Sequence, residues 1–200
     1  MKRIPLLLIY LRLVLGFLMI ALSIHPLQHF TFIVISLLSI GLLSDIFDGI
    51  IARKLKVSTP SLRRLDSTID QVFFVCTAIS CYLHCADFFR QNGFQLMVLI
   101  GTEVAVYILC FVKFKKEIAT HSIGAKIWTL LLFATLVQLF ADCSAGIVFQ
   151  LCFWLGILTR IEIALIIFIL KEWTHDVPTF VHAIRIRKGL PIKRNKLFNG

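Results

Sequence analysis

The sequence predicts an all-α, polytopic membrane protein with six transmembrane helices, both termini in the cytoplasm and a short juxtamembrane helix on that side. Three observations support this fold class. Hydrophobic residues make up 58% of the 200-residue chain and its mean hydropathy is +0.90, which is more than one soluble core requires. The apolar residues fall into six separate runs, and the Lys and Arg residues collect in alternate connectors between those runs.

The six apolar runs are the predicted spans. Three of them are nearer 14 residues than the ~20 with which a helix crosses a bilayer, so we expect polar helix ends to extend them on the cytoplasmic side. Runs of such length also occur in buried helices of soluble proteins, and the distribution of charge has to decide between the two. The runs are Ile4–Ile24, Phe30–Leu43, Val72–Leu83, Phe94–Val112, Ile127–Phe140 and Ile147–Leu170.

The charge distribution favours the membrane. Cytoplasmic connectors retain Lys and Arg, and 18 of the 21 such residues lie at the N-terminus, between the second and third runs, between the fourth and fifth, or after the sixth. The opposite connectors contain only Arg90, while Arg12 and Arg160 lie inside runs. A soluble fold gives no reason for this alternation, so both termini are predicted to be cytoplasmic.

The composition changes after the sixth run. We predict a six-helix membrane domain at 1–171 and a basic cytoplasmic tail at 172–200, with a short surface helix at Phe180–Ile186. The tail is short and tethered to the bilayer, so anionic lipid rather than nucleic acid is its expected partner. Within the spans, where unpaired charge is costly, we expect Arg160 to pair with Glu103 or Glu162.

The cysteines do not indicate a disulfide scaffold. They lie mostly within apolar runs, where a free thiol behaves as a small hydrophobe. Cys81 and Cys85 share a helix face, but no His or Cys pair at zinc-ligand spacing accompanies them. We therefore expect six free, chemically inert cysteines: Cys76, Cys81, Cys85, Cys110, Cys143 and Cys152.

Four of the eleven acidic residues lie in one segment between the second and third spans. Asp45 and Asp48 are three residues apart, and Asp66 and Asp70 are four apart, so each pair projects from one face of a helix. If the two faces pack together, the carboxylates repel one another unless a cation lies between them. Carboxylate oxygens suit Mg²⁺, which proteins usually share with substrate phosphates. The segment therefore predicts a metal site.

A second interpretation of this segment is a set of solvated carboxylates at helix ends, paired with Arg53, Arg63 and Arg64. The small residues Gly49 and Ala52 favour the metal site, because they leave room on the helix face for a neighbouring helix or a ligand.

The segment resembles the signature of the CDP-alcohol phosphotransferases, Asp-x2-Asp-Gly-x2-Ala-Arg-x8-Gly-x3-Asp-x3-Asp. Seven of the eight fixed positions agree at the correct spacing, which is too many for chance. The departure is Leu62, which stands where the family has its second glycine, close to the cytidine nucleotide. The matching residues are Asp45, Asp48, Gly49, Ala52, Arg53, Asp66 and Asp70.

The resemblance implies a reaction and a set of roles. An acceptor hydroxyl attacks the β-phosphate of a CDP-linked lipid such as CDP-diacylglycerol and CMP leaves, with two divalent ions, Mg²⁺ or Mn²⁺, at the diphosphate. The implied roles are metal binding for Asp45, Asp48, Asp66 and Asp70, general base catalysis for Asp70, and contact with the CDP donor for Gly49, Ala52 and Arg53.

Weaker matches outside the signature resemble the phosphatidylglycerophosphate synthase branch of the family. They are Ile4-Pro5 with Arg12, Lys113–Glu117 and Gly124–Thr129. This resemblance implies glycerol 3-phosphate as the acceptor. It also places Arg12 in the acceptor pocket; the alternative is that Arg12 extends along its stem to the cytoplasmic interface.

Three lysines are the candidate ligands of the acceptor phosphate, which they would hold as point charges. They are Lys113, Lys115 and Lys126. The alternative is anchoring of the same lysines at lipid headgroups.

The sequence therefore predicts a transferase for substituted phosphate groups that makes a phospholipid in the cell membrane, with a bacterial inner membrane as its expected location. The resemblance further implies a homodimer. Related acceptors stay open, namely inositol phosphate, serine, ethanolamine and choline. A second class of function is a non-catalytic membrane protein whose acidic cluster binds a divalent cation.

Overall fold

The computed structural model describes residues 4–55, 57, 59–116, 122–174 and 177–190, without the side chains of Arg53, Pro60, Ser61 and Arg63. Within these ranges every regular element is a helix and there is no strand, which confirms the all-α prediction. The helices are α1 (Ile4–Ile24), α2 (Phe30–Lys54), α3 (Pro60–His84), α4 (Ala86–Gln91), α5 (Gly93–Phe114), α6 (Ile123–Asp142), α7 (Gly146–Ile169) and α8 (Phe180–Arg187).

Five of these helices are long and apolar enough to cross a membrane: α1, α5, α6 and α7 along their whole length, and α2 over Phe30–Ala52. The predicted third span forms the second half of α3, but the first half of α3 carries charged residues, so α3 is not among the five. The helices confirm a multi-span membrane protein. The count of six spans and the cytoplasmic position of the termini stay predictions.

The polar ends of the helices explain why some apolar runs are short. The second run ends at Leu43, whereas α2 continues to Lys54. The third run begins at Val72, whereas α3 begins at Pro60. These extensions carry the charged residues of the signature, so the candidate site lies on helices rather than on a loop.

The chain divides into two compact units, Met1–Arg90 with Leu136–Ser144, and Gln91–Thr135 with Ala145–Gly200. In the first unit α1 packs along both α2 and α3, whereas α2 and α3 contact each other at few points. Small residues permit the close approach of these helices. Gly41 of α2 lies against the buried ring of Phe73, and a Cβ at Gly16 of α1 would lie 3.1 Å from the Cβ of Cys76.

In the second unit α5 and α7 pack together and α8 packs on α7. The buried Arg160 donates to Oε2 of Glu103 at 2.7 Å, and its guanidinium lies 3.8 Å from the centre of the Trp128 ring. This confirms the predicted pairing of Arg160 with a glutamate. The helix α8, with buried Ala183 against Ile166 of α7, confirms the short helix predicted after the last span.

Two cysteines contradict the prediction of six free thiols. Cys85 and Cys143 form a disulfide with their Cα atoms 5.2 Å apart, while the other four are free and buried as predicted. Both residues lie just past the end of a long helix, at the ends of α3 and α6. They are 58 residues apart, so only the packing of α3 beside the end of α6 brings them together. His84 also lies beside them, but the two sulfurs are bonded to each other, so this group is not a metal site as it stands.

The contact between Gly41 and Phe73 gives a test of the packing in the first unit. Gly41→Ala introduces a Cβ that meets the buried Phe73 ring, and we expect it to lower the free energy of unfolding by about 1–3 kcal/mol through overpacking. Thermal unfolding of the purified protein in detergent measures the change. Gly101→Ala is the matched control, because nothing lies within 4 Å of a Cβ at that position of α5. Equal melting temperatures for the two variants would contradict the packing described here.

Candidate active site

Two helices carry the four aspartates. Asp45 and Asp48 lie near the end of α2, and Asp66 and Asp70 lie in the second and third turns of α3. The start of α3 is fixed by a helix cap, in which the side-chain oxygen of Thr59 accepts a hydrogen bond from the backbone N–H of Leu62 at 3.2 Å. The cap sets where the helix begins, and the four-residue spacing of Asp66 and Asp70 places both carboxylates on one face of it.

Helix α1, which packs along both α2 and α3, supplies a cation to this cluster. Arg12 is 1% exposed, and its guanidinium contacts all four carboxylates. Nη1 lies 3.0 Å from Oδ1 of Asp45 and also contacts Oδ1 of Asp70. Nη2 lies 2.6 Å from Oδ1 of Asp66 and also contacts Oδ2 of Asp48. One side chain of α1 thus joins the acidic faces of α2 and α3.

The carboxylates of the cluster differ in their exposure. The side chain of Asp48 is 3% exposed, whereas those of Asp45, Asp66 and Asp70 are 29–40% exposed. The cluster is therefore buried on the side of Asp48 and open on the side of the other three. A substrate or an ion can reach the carboxylates from that open side.

The donor set suits a divalent cation. Asp45, Asp48 and Asp66 each offer a carboxylate oxygen, and these oxygens lie within 4.8 Å of one another. Ionised carboxylates so close together raise the energy of the ionised state, even with the guanidinium of Arg12 among them. Hard cations such as Mg²⁺ bind sets of carboxylate oxygens of this kind. The residues present therefore fit the metal site that the signature implies.

Arg12 was not assigned to this cluster by the sequence, which left it between an acceptor pocket and the interface. The signal was present, since a charge inside an apolar run needs a partner and four acids lie in the next connector. The solvated interpretation named Arg53, Arg63 and Arg64 as the partners instead. The side chains of Arg53 and Arg63 lie outside the described residues, and Asp48, being buried, is not a solvated carboxylate.

The residues predicted to contact the CDP donor follow directly on α2. Gly49 is half-buried, Ala52 is buried, and the backbone of Arg53 continues the helix. Leu62, which replaces the second glycine of the signature, lies in the first turn of α3 and its backbone N–H serves the Thr59 cap. Leucine forms helix more readily than glycine by about 1 kcal/mol, so the substitution stabilises the start of α3.

The three lysines predicted to hold an acceptor phosphate belong to the second unit. The ammonium group of Lys113 donates to the carbonyls of Ile167 and Phe168 at 2.8 and 3.0 Å, at the C-terminal end of α7. Lys115 ends α5 in the left-handed backbone region and lies 5.7 Å from the centre of the Phe111 ring. Lys126 is half-buried in the first turn of α6. At least one of the three therefore has a structural partner of its own.

The fold and the cluster together define a class of protein: a multi-helix integral membrane protein with four carboxylates gathered on one buried arginine. The chain belongs to the CDP-alcohol phosphatidyltransferase family, whose model matches residues 2–168. Membership makes it a transferase of lipid biosynthesis that takes a phosphatidyl group from a CDP-alcohol and passes it to an alcohol. A search of curated proteins and a search of solved structures each found no match to the chain.

Proposed function

We propose that the protein transfers the phosphatidyl group of CDP-diacylglycerol to glycerol 3-phosphate and releases CMP, with its reaction centre at the four aspartates. The observation that carries this proposal is the convergence of Asp45, Asp48, Asp66 and Asp70 on one point, in a chain that belongs to this transferase family. The choice of glycerol 3-phosphate rests on the weaker matches to the phosphatidylglycerophosphate synthase branch.

The chain's own residues divide the work of the reaction. Asp45, Asp48 and Asp66 offer carboxylate oxygens to divalent metal, and Asp70 shares in binding it. Two divalent ions, Mg²⁺ or Mn²⁺, would be held by these carboxylates and would supply positive charge to offset the negative charge that develops on the leaving CMP. Gly49 and Ala52 let the donor approach the backbone of α2, and Arg53 binds a phosphate of the donor.

Asp70 is the proposed general base. Its carboxylate accepts the proton of the acceptor hydroxyl as the hydroxyl oxygen bonds to the β-phosphorus, while the bond from that phosphorus to the oxygen bridging the two phosphates breaks and CMP leaves. The side chain of Asp70 is 29% exposed, so an acceptor can reach it, in contrast to the enclosed Asp48. The choice of Asp70 over Asp45 and Asp66, which are exposed to a similar extent, rests on the family signature.

For the acceptor we propose that Lys113, Lys115 and Lys126 bind the phosphate of glycerol 3-phosphate as point charges. Lys113 uses two of its three donors on the carbonyls of α7, so it contributes one donor at most. From the family resemblance we also propose that the protein is a homodimer and that it lies in a bacterial inner membrane.

We also propose that α3 crosses the membrane, which brings the number of spans to six, and that both termini are cytoplasmic. At 1.5 Å per residue the 25 residues of α3 extend about 37 Å, and α3 packs along the membrane-spanning α1. With α3 counted as a span, the connectors rich in Lys and Arg all fall on one side. The disulfide between Cys85 and Cys143 supports the same arrangement, since it joins two of the three connectors that are poor in cations and disulfides form in oxidising compartments.

Replacing the base tests the reaction. Asp70→Asn removes the proton acceptor, and we expect Mg²⁺-dependent release of CMP from CDP-diacylglycerol and glycerol 3-phosphate to fall by at least ~10²-fold, with the fold retained. The assay uses purified protein in mixed micelles and identifies the lipid product. Asp87→Asn is the matched control, because Asp87 is exposed on α4 and pairs only with Arg90 among the contacts of the described residues.

The same assay separates the alternatives. Removal of divalent metal with EDTA should abolish turnover, and Mg²⁺ or Mn²⁺ should restore it. If a phospholipid forms with inositol phosphate, serine, ethanolamine or choline and not with glycerol 3-phosphate, the chain belongs to another branch of the family. Full turnover in Asp70→Asn would refute the assigned base, and metal binding without turnover of any acceptor would establish the non-catalytic alternative.

Thiol labelling in intact cells tests the arrangement in the membrane. After reduction of the disulfide, an impermeant maleimide should label Cys143 without permeabilisation, because this connector is proposed to be non-cytoplasmic. A cysteine introduced at the exposed Lys188, in a chain with Cys85→Ser and Cys143→Ser, should react only after permeabilisation. Labelling in the opposite order would contradict the proposal, because either the whole orientation would be inverted or α3 would not cross the membrane. Labelling of both sites in intact cells would mean that α7, the helix between them, does not cross.

A further inference from the structure

The guanidinium of Arg12 occupies the centre of the carboxylate cluster. It is almost completely buried and contacts one oxygen of each aspartate. Those carboxylates are the groups that the proposed function assigns to metal. A guanidinium and a divalent ion both need the lone pairs of the same carboxylates, and each fills the space between them. The two cations therefore cannot bind there in the same arrangement.

We propose that Arg12 is a displaceable internal counter-ion, which holds the cluster together in the metal-free protein and competes with metal for its ligands. This inference rests on the proposed function, because it takes the four aspartates as the metal ligands. It assigns to Arg12 neither a substrate phosphate nor a permanent structural ion pair.

The packing of the first unit explains why such a counter-ion is needed. The two acidic faces belong to α2 and α3, which contact each other at few points and are joined mainly through α1. Without a cation between them, four carboxylates on these faces repel one another, most strongly at Asp48, where little water screens the charge. Arg12 supplies the missing charge from α1 itself.

The contacts of Arg12 also show how it is able to leave. Its Nε is buried and has no hydrogen-bond partner among the described residues, so the guanidinium is held through its two terminal nitrogens alone. When metal takes the carboxylates, no further hydrogen bond of the side chain has to break. The long flexible stem then allows the guanidinium to withdraw, since three of the four carboxylates face an open side of the cluster.

Arg160 provides a contrast within the same chain. It is also a buried arginine on a membrane-spanning helix, but among the described residues its one carboxylate partner is Glu103. The Trp128 ring, the carbonyl of Gly156 and the hydroxyl of Thr159 also contact it, and these groups do not form a set of metal ligands. Arg160 therefore serves as a matched control for the loss of a buried arginine.

Direct measurement of metal binding tests the proposal. Arg12→Gln removes the competing charge, and we expect purified protein in detergent to bind Mn²⁺ with a dissociation constant at least about tenfold lower than the wild type, since a unit charge close to the ion is removed. Free Mn²⁺ is measured by electron paramagnetic resonance. Arg12→Lys keeps the charge on a single nitrogen and should fall between the two. Arg160→Gln should bind Mn²⁺ as the wild type does.

Thermal unfolding supplies a second readout of opposite sign. Without metal, Arg12→Gln should melt below the wild type, because the carboxylates lose their counter-ion. Saturating Mn²⁺ should raise its melting temperature by more than it raises that of the wild type. A permanent ion pair would not give this dependence on metal, because its loss would lower the melting temperature equally with and without Mn²⁺.

The outcomes separate this inference from the proposed function. Folded Arg12→Gln that binds Mn²⁺ no more tightly than the wild type overturns the inference and leaves the metal site in place. If Arg12→Gln does not fold, Arg12→Lys decides the question by the same comparison of dissociation constants. Absence of Mn²⁺ binding in the wild type and in every Arg12 variant overturns both. Mn²⁺ binding that appears only when Arg12 is replaced supports the inference, because Arg12 then excludes the metal completely from the wild-type cluster.

Discussion

The contact between Arg12 and the four aspartates is the interaction on which the first unit depends. Charges removed from water are costly unless each has a partner, and breaking one such pair leaves an uncompensated charge behind. Here a single guanidinium partners carboxylates from two helices and lies on a third. The relative positions of α1, α2 and α3 are therefore tied to the ionic state of one cluster.

This constraint links stability to function. A protein that needs a dense group of carboxylates for phosphate chemistry has to fold before substrate and metal arrive, and the carboxylates oppose that folding. An arginine from the same unit removes part of this opposition. Apolar packing supplies the remaining stability that folding requires. Close contacts such as that of Gly41 against Phe73 bring the helices near enough for Arg12 to reach all four carboxylates.

Much of this arrangement was predictable from the sequence, because its signals are local. The spacings of Asp45 with Asp48 and of Asp66 with Asp70 placed each pair on one helix face, and the apolar runs located most of the helices. The helix class and the family were predicted for the same reason, whereas the pairing of Arg160 with a glutamate followed from the cost of an unpaired charge within a span. Arg12 and the disulfide were not, because Arg12 is 33 residues from its nearest aspartate and Cys85 is 58 residues from Cys143. Partners so distant in the chain are brought together by helix packing, which no local pattern encodes.

The account is tested most directly by locating the metal itself. Anomalous diffraction from crystals of the protein grown with Mn²⁺ shows both the ion and the side chains around it. The account predicts an anomalous peak bounded by Asp45, Asp48, Asp66 and Asp70, with the guanidinium of Arg12 withdrawn from the carboxylates. A cluster without a peak at saturating Mn²⁺, with Arg12 still in contact with all four aspartates, would contradict it.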